Sequence, residues 1–196
     1  MRRIIVAITG ASGACLGLHA LRLLRSLPEV ETHLILSPSG IRTLVEETGQ
    51  GADAARALAD HHHDHRDIGS ALASGSFRTA GMLVAPCSIK TLSAIAQSYD
   101  NDLIVRAADV CLKERRPVVL MVRETPLHAG HLRLMQEVTA NGAIVMPPVP
   151  AFYLRPVSVD ALAEQLAARA LDLLGFEVAA LARWKDDPAP TPDAPA

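Results

Sequence analysis

The sequence predicts a single α/β domain built on a parallel, doubly wound sheet. Three observations carry this. Five short apolar runs alternate with segments of helical periodicity, the pattern that yields βαβ units. Glycines, small hydroxyl residues and cations follow successive strands, as binding loops do at the carboxyl edge of such sheets. Apolar residues make up 49% of the 196 and aromatics only 3%, so the core is mainly aliphatic. The length fits one domain, which commonly runs ~100–200 residues. We assign residues 1–185 to it and the Pro- and Ala-rich residues 186–196 to a disordered tail.

Residues 4–9 read as a buried strand, followed by the turn Gly10-Ala11-Ser12-Gly13-Ala14 and a helix to about residue 27. Glycines let a backbone approach a ligand, and the helix amino end offers free N–H groups to an anion. Tight helix–strand packing needs the same glycines, so both readings stand. Residues 32–36 form a second strand ending at Ser37, and residues 40–48 a helix with Glu46 and Glu47 near its end. Carboxylates there oppose the helix dipole and read by position as solvated side chains. Residues 49–80 are the least regular stretch. They hold His61-His62-His63-Asp64-His65, a run that invites a metal but lacks a helical i, i+4 framework. It reads as a solvated or interface loop, and no metal site is assigned.

Residues 81–87 are a third strand. Ser88 then caps a helix to about residue 97, with Ile89, Lys90 and Thr91 in its first turn. Hydroxyl and N–H groups at that position suit an ordinary cap or a bound phosphate. Residues 103–116 read as a basic amphipathic helix stopped by Pro117. Arg106 and Lys113 sit two turns apart on one face, with Asp109 in reach of either, so this face is a binding surface or a set of solvated ion pairs. Residues 118–122 are a strand covered on both faces, and it delivers Arg123 and Glu124 to the carboxyl edge. Residues 132–140 form a helix and residues 143–146 a fifth strand. Pro147, Pro148 and Pro150 stiffen the connection to Phe152 and Tyr153. The last helix runs over residues 158–174 with Gly175 as its C′ residue. Arg169 falls at the edge of its Leu162, Leu166 and Leu173 stripe, where a guanidinium needs an anion partner.

A net charge of -2 gives no electrostatic case for nucleic acid or an acidic membrane. Cys15, Cys87 and Cys111 are scattered and read as reduced thiols of a cytoplasmic protein. The start, MRRIIVAITGASG, reads as a strand and not a signal peptide, and no apolar run is long enough to span a membrane. Hydroxyls, glycines, Arg and Lys at one sheet edge suit a phosphorylated ligand. No nucleophile–His–acid arrangement is evident.

The segments GASGA (10–14), PCSIKTLSAIA (86–96), RAADVCLKERRPVVLMVRETPL (106–127), GAIVMPPVPAFY (142–153) and ARALDLLG (168–175) resemble the UbiX-type flavin prenyltransferases, which include accessory subunits of phenolic-acid decarboxylases. The resemblance spans roughly residues 4–184, and the RAADV…LKE…RETPL block is its most specific part. It implies a flavodoxin-like, three-layer fold, assembled as a homo-dodecamer with FMN between subunits. The implied reaction moves a dimethylallyl group from dimethylallyl monophosphate to N5 and C6 of reduced FMN without a metal, and the product serves a UbiD-type decarboxylase. By motif, Gly10, Ala11, Ser12, Ser37, Ser88, Ile89, Lys90, Thr91 and Arg123 would contact FMN. Arg106, Lys113, Tyr153 and Arg169 would bind the substrate phosphate. Glu47 and Glu124 would handle protons, with Lys113 assisting catalysis. The chain departs from the family pattern at Asn101-Asp102, at Ser98-Tyr99, and in the segment His131-Leu132-Arg133-Leu134-Met135, which lacks an asparagine. Two rivals stand beside this reading: a flavoprotein that decarboxylates a cysteine-derived substrate, and a non-catalytic FMN carrier for a decarboxylase.

Overall fold

The computed structural model describes residues 1–184; the tail expected over 186–196 lies outside them. The strands are β1 (Arg2–Ile8), β2 (Val30–Leu36), β3 (His61–Asp64), β4 (Met82–Cys87), β5 (Val118–Val122) and β6 (Ile144–Val145). They form one sheet in the order β3-β2-β1-β4-β5-β6, with every neighbouring pair parallel. Without the edge strand β3, the order counted along the chain is 2-1-3-4-5, that of a flavodoxin-like sheet. The helices are α1 (Ala14–Arg25), α2 (Pro38–Thr48), α3 (Ala52–Arg56), α4 (Ile89–Ala96), α5 (Leu103–Lys113), α6 (Ala129–Ala140) and α7 (Val159–Leu173).

The alternation of side chains along a strand divides the core into two layers. Ile4, Val6 and Ile8 of β1 face one cluster, with Leu18, Leu21 and Leu24 of α1, Leu44 of α2 and Leu171 of α7. Ile5 and Ala7 face the other, with Leu92 and Ile95 of α4, Ile104 and Ala108 of α5, and Val138 of α6. Strands buried on both faces need no polar alternation, and β1, β4 and β5 read as continuous apolar runs for that reason.

The largest departure from expectation is the histidine run. Five strands were expected and six are present, because His61-His62-His63-Asp64 is a strand and not a loop. It pairs with β2 in the register His33↔His61 to Leu36↔Asp64. Its entry is fixed by Asp60, whose carboxylate accepts from the backbone N–H and hydroxyl of Thr32 at 2.7 and 2.8 Å. Its exit is fixed by the carbonyl of His65, which accepts from the N–H of Leu103 at 2.7 Å. Polarity hid this strand: it is an edge strand, so its side chains can stay wet. The expected irregular stretch also contains α3 and a single 3₁₀ turn at Ala71–Ala73.

Smaller shifts occur at helix starts. Pro38 occupies the first turn of α2 and extends it toward Ser37, and α6 begins three residues earlier than expected, capped by His128. No helix among the described residues is long and apolar enough to cross a membrane. Leu21 is fully buried between α1 and its cluster. Leu21→Ala should therefore cost ~2–5 kcal/mol, read as a lower urea midpoint at unchanged slope.

Candidate functional site

A cleft of about 750 Å³ opens at the carboxyl edge of the sheet, where the chain order reverses between β1 and β4. Open α/β sheets bind ligands at such switch points. Five loops line it: Gly10, Ala11 and Ser12 after β1; Ser37, Pro38 and Ser39 after β2; His65 and Arg66 after β3; Ser88, Ile89, Lys90 and Thr91 after β4; Arg123 and Glu124 after β5. Asn101, Asp102 and Val105 close one side. All nine expected flavin contacts, and Glu124, therefore lie in one cavity.

Buried Thr9 joins the two central loops. Its hydroxyl donates to the carbonyl of Pro86 at 2.7 Å and accepts from the N–H of Ser88 at 2.9 Å. Ser88 then caps α4: its Oγ accepts from the N–H of Thr91 at 3.3 Å and lies 3.1 Å from that residue's hydroxyl. Ser37 caps α2 in the same way through the N–H of Gly40, at 3.0 Å. The serines thus serve as caps and also face the cleft. Gly10 is needed for close approach, because a Cβ there would lie 2.2 Å from Cβ of Ser39. The close approach at this glycine is to the first turn of α2, not between α1 and a strand.

The amino end of α1 differs from expectation. Its free N–H groups are taken by the chain itself: the Glu47 carboxylate accepts from Gly13 at 3.1 and 2.9 Å and from Ala14 at 2.9 Å. Glu47, read by position as a solvated side chain, instead ties the end of α2 to the start of α1. The cleft's open cations are Lys90 and Arg123; among the described residues neither side chain is ion-paired, so both charges are available to a ligand. Glu124 accepts from the N–H of Thr125 at 2.9 Å. Asp102 caps α5 through the N–H of Val105 at 3.0 Å, so this departure from the family pattern has a local structural task. Cys87, beside Ser88, is fully buried; burial pushes its thiol up to about 12, which leaves no thiolate for chemistry.

The four expected phosphate ligands do not meet within one chain. Tyr153 and Arg169 line a second, smaller cavity of about 210 Å³ with Met146, Leu154 and Leu162. Arg169 and Arg183 both pair with Asp172, the anion partner that Arg169 required, and hydrogen bonds from the two arginines hold that carboxyl below its ordinary range. Tyr153 packs edge-on against Trp184, with ring centroids 4.8 Å apart. Arg106 lies elsewhere on α5. It donates to Asp100 at 2.9 Å and Asp109 at 3.0 Å, so Asp109 pairs with Arg106 and not with Lys113. Lys113 pairs with Glu114 at 2.7 Å. Sequence reasoning missed His65, Arg66, Pro38 and Ser39. The first two follow a strand that polarity concealed, and the others lie in a helix whose start was set two residues late.

Comparison with known proteins gives the family. The family described as Flavoprotein matches residues 1–165. The flavin prenyltransferase UbiX of Escherichia coli K12 is 52% identical over 187 residues, covering 94% of this chain and 99% of that protein. The crystal structure of AnUbiX (PadA1) in complex with FMN and dimethylallyl pyrophosphate superposes with a TM-score of 0.91 at 50% identity, covering 93% and 97% of the two chains. A dodecameric, FMN-dependent UbiX-like decarboxylase from Escherichia coli O157:H7 gives a TM-score of 0.91 at 45% identity, covering 93% and 99%. With the family model matching residues 1–165 and about half of its residues shared with relatives aligned over nearly their whole length, the chain belongs to the UbiX-type flavin prenyltransferases.

Proposed function

We propose that this protein transfers a dimethylallyl group from dimethylallyl monophosphate to N5 and C6 of reduced FMN, and that the product serves a UbiD-type decarboxylase. The observation that carries the reading is the convergence of all nine flavin candidates and Glu124 on one cleft of about 750 Å³, a size suited to a cofactor. Gly10 to Ser12, the Ser37 and Ser88 caps and Thr91 offer N–H and hydroxyl donors to the FMN phosphate and ring edge. Ile89 offers an apolar surface, and Lys90 and Arg123 neutralise charge. The reduced flavin supplies the nucleophilic atoms.

This chain's task is to help a phosphate leave. As the donor's C–O bond breaks, cations stabilise the charge gathering on the phosphate oxygens, and Arg106, Lys113, Tyr153 and Arg169 are assigned that role. Glu124 donates the proton that makes phosphate a better leaving group and, ionised by that step, accepts the one proton released from C6 when the ring closes; Glu47, held at the amino end of α1, is assigned a supporting part in proton handling. Within one chain these phosphate ligands lie in separate places, which supports an assembly whose sites are completed between copies. We propose a homo-oligomer, a dodecamer like that of the UbiX-like relative, with residues 1–185 as one flavin-binding unit. The three free cysteines, two of them buried, fit a reducing cytoplasmic setting.

The test is anaerobic incubation with reduced FMN and dimethylallyl monophosphate, followed by mass spectrometry of the released flavin. The expected product is heavier by one five-carbon unit. Bound but unmodified FMN with both the monophosphate and the diphosphate would favour the carrier reading, and failure to bind flavin would overturn both.

Three variants divide the roles. Arg123→Ala should weaken flavin binding ~10–100-fold, the loss of one charge-assisted contact, measured by flavin fluorescence. Glu124→Gln should keep flavin affinity and lower turnover ~10²–10⁴-fold. Arg106→Ala and Arg169→Ala should each be inactive alone, yet co-expressed they should recover part of the activity, because mixed assemblies contain sites with both arginines intact.

A further inference from the structure

β2 and β3 place a second cluster of polar groups far from the cleft's chemistry. Glu31 and His33 are two residues apart on β2 and so share a face, and His61 is the register partner of His33 on β3. Oε1 of Glu31 lies 3.2 Å from Nε2 of His33 and 3.2 Å from Nε2 of His61. One ligand atom from each of the three residues falls within 4.8 Å of the others. Zinc bonds of ~2.0–2.2 Å to nitrogen and oxygen would separate neighbouring tetrahedral ligand atoms by roughly 3.3 Å, so the two measured separations match those of ligands around one ion.

The surroundings favour an ion. His33 is only 4% exposed; its buried Nε2 makes no well-directed hydrogen bond and faces the Glu31 carboxylate oxygen at 3.2 Å, a pair of lone-pair donors that an ion between them would satisfy. The other ring nitrogen is engaged: Nδ1 of His33 lies 3.0 Å from Nε2 of His63, whose own Nδ1 lies 3.0 Å from the hydroxyl of Ser70. Metal-bound imidazoles are commonly oriented by such a partner on the remaining nitrogen. Arg3 holds the other oxygen, Oε2 of Glu31, at 3.2 Å, which leaves Oε1 for the ion. The His61 side chain is 54% exposed, so the site has a solvent side for entry and for a water ligand.

We propose that Glu31, His33 and His61 bind a divalent transition-metal ion of the zinc class, with His63 positioning His33. Two imidazoles and one carboxylate are a recognised zinc donor set. Bound there, the ion clips the edge strand to its neighbour across a parallel pair. The site is independent of the transferase reading.

The test uses the full chain without an affinity tag, stripped with EDTA and titrated with ZnCl2 by calorimetry; cobalt(II) absorption reports the coordination geometry. One equivalent of zinc per chain is expected, together with a melting temperature raised by zinc. His61→Ala, at an exposed position, should abolish both effects, and His63→Ala should weaken binding ~10–100-fold. His62→Ala is the control, because that residue alternates to the opposite face of β3. Absence of saturable zinc binding would overturn the proposal. So would zinc binding that survives both His61→Ala and Glu31→Gln, or that is lost as fully in His62→Ala.

Discussion

The buried hydroxyl of Thr9 is the contact on which the site depends. β1 and β4 are adjacent in the sheet, but the chain leaves them in opposite directions around it. Their two exit loops separate where the cleft opens. A single side chain spans that divergence, its hydroxyl donating a hydrogen bond to the Pro86 carbonyl and accepting one from the Ser88 N–H. The Ser88 cap, the start of α4 and the turn through Gly10 are positioned relative to one another by this bridge. The tight fit of Gly10 against Ser39 then brings the third loop to the same place. Three loops from three strands are thus locked before any ligand arrives, which lowers the ordering cost of binding.

Much of this was legible in the sequence because its physics is local. Apolar strands between glycine or serine turns announce themselves by composition, and the cap at Ser88 was readable from the residues around it, whereas the caps at Ser37 and Ser158 emerged only with the helix starts. The flavin loops could be gathered without a structure, because a parallel sheet sends all its carboxyl ends to one edge. What stayed hidden were relations across long stretches of chain. Nothing near Glu47 in the sequence says that its carboxylate meets Gly13 and Ala14, whereas the Arg169–Asp172 pair, three residues apart on one helix, lay within local reach. The strand formed by His61-His62-His63-Asp64 was hidden for a different reason: its identity comes from pairing with β2 and not from its own hydrophobicity.

The two groups of expected phosphate ligands show what one chain does and does not organise. Tyr153 and Arg169 sit between the proline-stiffened segment and α7, whereas Arg106 and Lys113 stand on α5, beneath the 3₁₀ turn. Each group is held by acidic neighbours that keep its cations extended: Asp100 and Asp109 for Arg106, Glu114 for Lys113, Asp172 for Arg169. Such pairs, partly open to solvent, are individually weak. They preset the direction of each side chain without fixing it strongly.

The two margins of the sheet bear on how copies of this chain can meet. One margin is β3, four residues of histidine and aspartate, and the other is β6, two residues long and followed by Pro147, Pro148 and Pro150. Short, charged or proline-flanked borders are poor templates for an added strand. Neither side can readily continue the sheet into a neighbouring molecule, so fibre-like growth through backbone pairing is discouraged at both ends. Association is thereby directed to the helical layers and the exposed loops, where contact is set by side-chain shape and closed symmetry can be reached.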